Sequence, residues 1–282
     1  MLAIGVLCAI AASVLFNVGI ALQALEARAA PREQGLRPAL LLDLLRRRRW
    51  IVGLLLGALG VPLEVLAFSW APFVVVEPLL ASGLLVLLAI GARVLGERPG
   101  PAVIVGVVAI IAGTALIAWG APPHSDQHRG PVAVVVVVAG LVALSLVPFA
   151  LRGTRLDAAL VPNLGSACGF AATNVAAKLL ADDIGGGHYP EAVAWLAVAV
   201  FAGVGATVTG MTALQRAPAT TVVPISTAVQ TFLPVALEPL FLSESWRAAE
   251  LGGGILLAGI VVMAIGTVVV ARTRSVGELA AG

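Results

Sequence analysis

Three charged side chains fall inside long apolar runs, where an ionisable group is costly and marks a candidate functional position. They are Glu64, Glu77 and Lys178, the last being the only lysine of the chain. Glu64 stands seven residues before Ala71 and Glu77 six after it. At a helical rise of about 1.5 Å per residue, both lie roughly 10 Å below a turn at Ala71-Pro72. Counting back from Ile184 gives Lys178 a similar depth. Two close carboxylates in a low-dielectric medium cannot both ionise cheaply, so one holds a proton or the pair attracts a cation. The spacing nominates Glu64 and Glu77 as a proton- or cation-coupling pair, and as the ligands if the cargo is a metal ion. Lys178 is then their counter-charge or an anchor for a substrate carboxylate. The alternative is that each side chain snorkels to the interface and that Lys178 pairs with Asp182 one turn on. Glu238 reads as the rim of its span.

Uncharged polar residues form a second group. Asn17 and Asn174 lie at related positions, deep enough to need hydrogen-bond partners within a bundle, as interhelical glue or as the lining of a cavity. One apolar run carries Thr220, Thr221, Ser226, Thr227, Gln230 and Thr231. Helical spacing gathers Thr227 and Thr231 with Thr220, and Gln230 with Ser226, on the most polar face of any run, a candidate pathway lining. Thr207 and Thr209 add to it or bond their own helix carbonyls. Pro78, Pro162, Pro224 and Pro234 each remove a backbone donor within a run, and Pro78 and Pro224, at matching positions, are candidate gating elements.

The elements that carry these residues are set by composition. The chain has 282 residues, 60% apolar and 11% charged, with a mean hydropathy of +1.05. A soluble domain carries about a quarter charged residues, so a globular enzyme, a nucleic-acid binder and a disordered chain are disfavoured. Cys8 and Cys168 sit in apolar runs as small hydrophobes. The pair His124 and His128 lacks further metal ligands, so no metal site is assigned with confidence. No phosphate-binding loop or catalytic constellation appears, and the chain is read as a non-enzyme without a cofactor.

Apolar stretches long enough to cross a bilayer number nine, at about 2–24, 50–69, 73–92, 101–120, 131–151, 158–181, 191–212, 219–241 and 251–271. The expected fold is an all-α polytopic membrane protein. Basic residues sort to one side if the N-terminus is outside. That side holds Arg28, Arg32, Arg37, Arg46 to Arg49, Arg93, Arg98, Arg152, Arg155, Arg216, Arg272 and Arg274, against Arg129 and Arg247 opposite. The C-terminus is then cytoplasmic and the first span a retained anchor rather than a signal peptide. An amphipathic segment, 38–49, suits the headgroup plane, where Arg46, Arg47, Arg48 and Arg49 would meet anionic lipid.

Shifting the chain by 146 positions pairs Gly57 with Gly203, Ala71-Pro72 with Ala217-Pro218, Pro78 with Pro224, and Gly106, Gly113 and Gly120 with Gly252, Gly259 and Gly266. A shift of 157 pairs Asn17-Val18 with Asn174-Val175. Spans one to four thus resemble spans six to nine in opposite orientation, the inverted-repeat arrangement of many secondary transporters. Residues 1–120 form the first repeat, 121–157 a connector with the fifth span, and 158–282 the second repeat. The recurring glycines read as a close-packing stripe.

The pattern Ala71-Pro72-x5-Pro78, followed by Gly96-Glu97-Arg98 and Gly106-x6-Gly113, resembles the drug/metabolite transporter superfamily with its EamA-like repeat. Ala217-Pro218-x5-Pro224, Ser243-Glu244 and Gly252-x6-Gly259 repeat it. The nine spans, Leu22-Gln23, and Gly165-Ser166 with Lys178 are similar to the NIPA magnesium-transporter branch. Two departures are Leu59-Gly60, with Glu64 four residues on, where that branch carries Gly-Glu, and Glu77-Pro78 where it carries Thr-Pro. The superfamily resemblance implies a secondary transporter of a small solute or metabolite working by alternating access, an exporter driven by a proton or cation gradient. The NIPA resemblance implies a magnesium or divalent-cation carrier instead, and a non-transporting scaffold or accessory subunit is the third reading. A bacterial inner membrane is the expected location, and a homodimer is compatible with all three.

Overall fold

The computed structural model describes residues 2–120, 131–154, 158–241 and 250–279, all of its regular structure helical. The helices are α1 (Leu2–Ala29), α2 (Pro38–Leu44), α3 (Arg48–Trp70), α4 (Phe73–Arg93), α5 (Pro101–Gly120), α6 (Pro131–Ala150), α7 (Leu160–Gly185), α8 (Tyr189–Arg216), α9 (Ala219–Phe241) and α10 (Gly254–Leu279). Among the described residues, eight of these are long and apolar enough to cross a membrane. The chain is therefore a multi-pass membrane protein. The ninth long helix, α7, spans 26 residues but is the least apolar, since it carries Asn163, Ser166, Thr173, Asn174 and Lys178. Long helices thus stand at all nine expected positions. His124, His128, Ser243 and Glu244 lie outside the described residues.

Local sequence explains the breaks. Pro38, Pro101 and Pro131 open helices at a position where the missing N–H costs nothing. Ala71 ends α3 with φ −138° and ψ 148°, and Ala217 ends α8 with φ −146° and ψ 158°. Each precedes a proline, whose ring disfavours the helical conformation of the residue before it. The paired Ala-Pro motifs therefore make two equivalent tight turns.

The arginine-rich segment 38–49 is divided between two helices. α2 stops at Leu44, buries Leu40 and Leu44 completely, and Arg48 and Arg49 begin α3. Arg47 is drawn inward, to Asp43 at 2.9 Å and Glu26 at 3.3 Å, while Arg46, Arg48 and Arg49 are exposed.

Packing follows a recurring order. α1 packs on α3 and α4, and α4 on α5; likewise α7 packs on α8 and α9, and α9 on α10. The two sets join along α5 and α10, where the glycine stripes meet. A Cβ on Gly113 would stand 2.8 Å from the Gly259 carbonyl oxygen, and one on Gly259 2.9 Å from that of Gly113. Gly106 and Gly266 approach equally closely, at 2.8 and 2.7 Å. In lipid, where apolar surface gains nothing by association, such backbone contact is what holds helices together.

The buried apolar residues form one large cluster and two smaller ones. The large cluster joins both halves at the arginine-rich end, through Leu40, Leu44, Trp50, Leu87, Leu214, Val222 and Ile225. Toward the opposite end the halves keep separate clusters. Ala9, Ala67, Ala71 and Val76 belong to the first; Val138, Leu141, Ala171 and Val175 belong to the second.

Candidate functional site

The packing stripe of α3 is Trp50, Gly53, Gly60 and Ala67, all buried. Gly60 faces Phe16, and Ala71 faces Gly5, so this stripe looks at α1. Glu64 lies on the same face, one turn after Gly60 and one before Ala67 and Phe68. On α4, Glu77 shares a face with Leu84, Leu88 and Gly91, at offsets of seven, eleven and fourteen residues. Leu84 and Leu88 are buried, and a Cβ on Gly91 would strike the Thr220 methyl of α9. Glu77 therefore belongs to the α4 face that crosses α9. Both glutamates are half-buried.

The facing side of α9 begins at Thr220, 2% exposed, and continues through Thr227 and Thr231, with Gln230 beside them. Thr227, Gln230 and Thr231 are half-buried. On these two faces Leu84, Leu88 and Thr220 are buried, and Glu77, Thr227 and Thr231, farther from the Gly91–Thr220 crossing, are half-buried. We read the faces as a wedge that narrows toward the arginine-rich end, with Glu77 on one wall and polar α9 residues on the other.

The remaining candidates are placed as follows. Asn17 is buried, donates to the Ser13 carbonyl at 2.8 Å, and crowds Gly83; Ser13 in turn donates to the Leu80 carbonyl at 2.9 Å. These contacts fasten α1 to α4. Asn174 is exposed, because α7 packs through Ala171, Ala172, Val175 and Leu179 and turns Asn174 away. Lys178 is half-buried on α7. Thr207 and Thr209 bond carbonyls of their own helix, at 2.8 and 3.0 Å. Pro78 and Pro224 each stand one turn into α4 and α9, and both helices continue through them. Without a proline N–H, the carbonyls of Val74 and Thr220 lose their helical donors. The side chain of Glu238 lies outside the described residues. Among the described residues, no three His, Cys, Asp or Glu side chains gather as a metal cluster. A groove of about 760 Å³ between α6 and α8, lined by Leu146, Phe149, Leu196, Val200 and Phe201, carries no ionisable side chain.

Sequence reasoning gave no role to the most fully bonded carboxylate. Glu97, in the loop between α4 and α5, pairs with Arg28 of α1. Its Oε1 accepts the Ala219 N–H at 2.7 Å and its Oε2 the Thr220 N–H at 2.8 Å. Glu97 is thus the N-terminal cap of α9, supplied by a distant loop. Burial works to raise its carboxyl, but the Thr220 hydroxyl and amide, Arg28 and the Ala219 amide outweigh it and hold the group below the usual carboxylate range. Gly96, at φ +67°, makes the turn that aims Glu97 inward. The pair Gly96-Glu97 was visible as a motif, but its partners lie 69 to 123 residues away.

Residues 1–150, more than half of the chain, match the family model described as magnesium transporter NIPA. Comparison with curated proteins and with solved structures finds no match.

Proposed function

We propose that this chain, which belongs to the magnesium transporter NIPA family, carries a divalent cation across a membrane and that Glu64 and Glu77 receive it. What supports the reading is the placement of two half-buried carboxylates seven residues before and six after Ala71, on the helices α3 and α4 that meet at this turn, within the matched residues. Magnesium keeps much of its hydration shell and binds through one or two carboxylates plus waters, so a pair suffices where a cage of ligands is lacking. A divalent ion also relieves the repulsion between two half-buried carboxylates. The half-buried hydroxyls and amide of Thr227, Gln230 and Thr231 give the hydrated ion polar partners across the wedge.

Alternating access is the mechanism we infer. The recurring packing order, with Gly113 against its repeat mate Gly259, supports two four-helix repeats, 1–120 and 158–282, inserted in opposite senses around the connector 121–157. The wedge closes at the arginine-rich end, which the distribution of arginines assigns to the cytoplasm, with the N-terminus outside. Passage driven by a proton or cation gradient, in the export direction, across a bacterial inner membrane completes the proposal. The cation is placed before an organic solute because a carboxylate pair favours positive cargo.

Purified protein in liposomes loaded with a magnesium-sensitive dye tests this. Glu77→Ala and Glu64→Ala are each expected to lower magnesium flux by about tenfold or more, the consequence of removing about 1.4 kcal/mol or more of cation stabilisation. Flux that survives both substitutions overturns the carboxylate site.

A further inference from the structure

Among the described residues, the side-chain hydrogen bonds that cross from α1–α5 to α7–α10 gather at one end. Besides Glu97 on α9, Arg28 reaches the Ala217 carbonyl at 3.5 Å. The Leu36 N–H donates to the Thr212 hydroxyl at 3.0 Å, and Gln215 donates to the Pro31 carbonyl at 3.3 Å. The Trp50 indole N–H points at the Met211 sulfur at 3.4 Å. All of these lie at the arginine-rich end, where α1 packs against α8. In the proposed repeat the counterpart of that contact is α3 against α7, and these two helices do not pack together among the described residues. The α1–α8 contact at the arginine-rich end therefore has no comparable counterpart at the other, where the halves meet along α5 and α10.

Within this end, Glu97 holds a joint of three helices. Its backbone is fixed to α4, the Glu97 N–H donating to the Gly91 carbonyl at 2.9 Å. Its carboxylate is fixed to the first two amides of α9, and its counter-charge comes from the last turn of α1. A single side chain thereby connects α1, α4 and α9 at the narrow edge of the wedge, directly over the Gly91–Thr220 crossing. A helix N-terminus released from such a cap leaves two amides and a half-buried guanidinium partner unsatisfied, unless water enters. Opening at this point and hydration of the wedge from the arginine-rich side are then one event.

We propose that the Arg28–Glu97 pair, clamped on the N-terminus of α9, is the latch of the inner gate, and that its release exposes the wedge to the arginine-rich side. The proposal rests on the alternating-access reading but not on the identity of the cargo. Glu97 and Arg28 are positioning residues: they act on access to Glu77, not on the ion.

Site-directed labelling tests it. In the full chain with Cys8→Ser and Cys168→Ala, Thr227→Cys places one thiol two turns into α9, above the latch. A membrane-impermeant maleimide is applied to sealed vesicles of either orientation. With Glu97 intact, labelling is expected from the arginine-poor side alone. Glu97→Gln, which keeps the shape but removes the charge, is expected to raise the rate from the arginine-rich side by about tenfold or more, a shift of the open population. Arg28→Gln is expected to shift it in the same direction and less, because the amide bonds to α9 persist. Continued labelling from the arginine-poor side reports that each variant is folded. A folded Glu97→Gln or Arg28→Gln protein with no gain from the arginine-rich side overturns the latch. Because no cargo is needed, gain of labelling without magnesium flux would leave the latch standing and remove the cation reading. Flux through Glu64 and Glu77 with unaltered labelling would do the reverse.

Discussion

Glu97 at one end of the bundle and Glu64 with Glu77 toward the other are carboxylates drawn from the same small supply in an apolar chain, yet their surroundings differ in kind. Glu97 has a cation and two backbone amides aimed at it, so its ionised form is built into the fold. Glu64 and Glu77 are half-buried on α3 and α4 without a cation paired to them among the described residues. The first arrangement stores its charge in a helix cap. The second, in the function we propose, gains by admitting positive charge. The difference shows that a carboxylate in a membrane protein is read by its partners rather than by its depth.

Stability measurements can break this comparison. The largest effect is expected at Glu97. Removing one member of a buried ion pair costs about 3–5 kcal/mol, so Glu97→Gln should unfold several degrees below the parent at pH 7 in nanodiscs. The Glu97 carboxyl is held low in the folded state. Its stabilisation is therefore present above the ordinary carboxylate pKa of about 4.3 and is lost as pH falls through the lower folded value. The gap between parent and Glu97→Gln should narrow as pH drops below that range. A gap that widens in acid would place Glu97 among the strained carboxylates with Glu64 and Glu77.

The seam on which both ends turn gives a middle effect. A methyl on Gly113 meets the Gly259 carbonyl oxygen and Met263, and overpacking of this kind costs about 1–3 kcal/mol. A methyl on Gly57 meets nothing within 4 Å, so Gly57→Ala should be neutral or stabilising by up to about 1 kcal/mol, as helix propensity dictates. Thermal unfolding of the two variants side by side sharpens the distinction between a fixed seam and the helix pair that carries Glu64. Equal shifts would remove it.

The smallest effect separates the two asparagines. Asn17→Ala deletes a buried bond to the Ser13 carbonyl and should cost about 1 kcal/mol. Asn174→Ala, at an exposed position, should fall within about 0.5 kcal/mol of the parent. If Asn174→Ala lowers magnesium flux while leaving stability unchanged, Asn174 lines the path after all.

Much of this organisation was legible along the chain. The long helices stand where apolar length places them, and Ala71-Pro72 and Ala217-Pro218 make the turns that proline chemistry requires. The glycine stripe of α5 meets that of α10, as small residues in lipid should. Within the amphipathic segment 38–49 the break after Leu44 comes with Arg47, which turns back to Asp43 and Glu26, and the run of leucines and arginines does not reveal that pairing. Asn17 and Asn174 looked equivalent in sequence, and only the packing faces of α1 and α7 separate them.

What the sequence determines by itself is the solvent, the number and rough length of the helices, and their breaks, because these follow from local apolarity and backbone chemistry. What only the tertiary structure decides is which charged groups meet. Arg28 and Glu97 are separated by 69 residues, and Glu97 and Thr220 by 123; no periodicity records such distances. A contact between remote residues is set by how helices cross, and that crossing is fixed by the summed fit of many small side chains rather than by the two groups that finally touch.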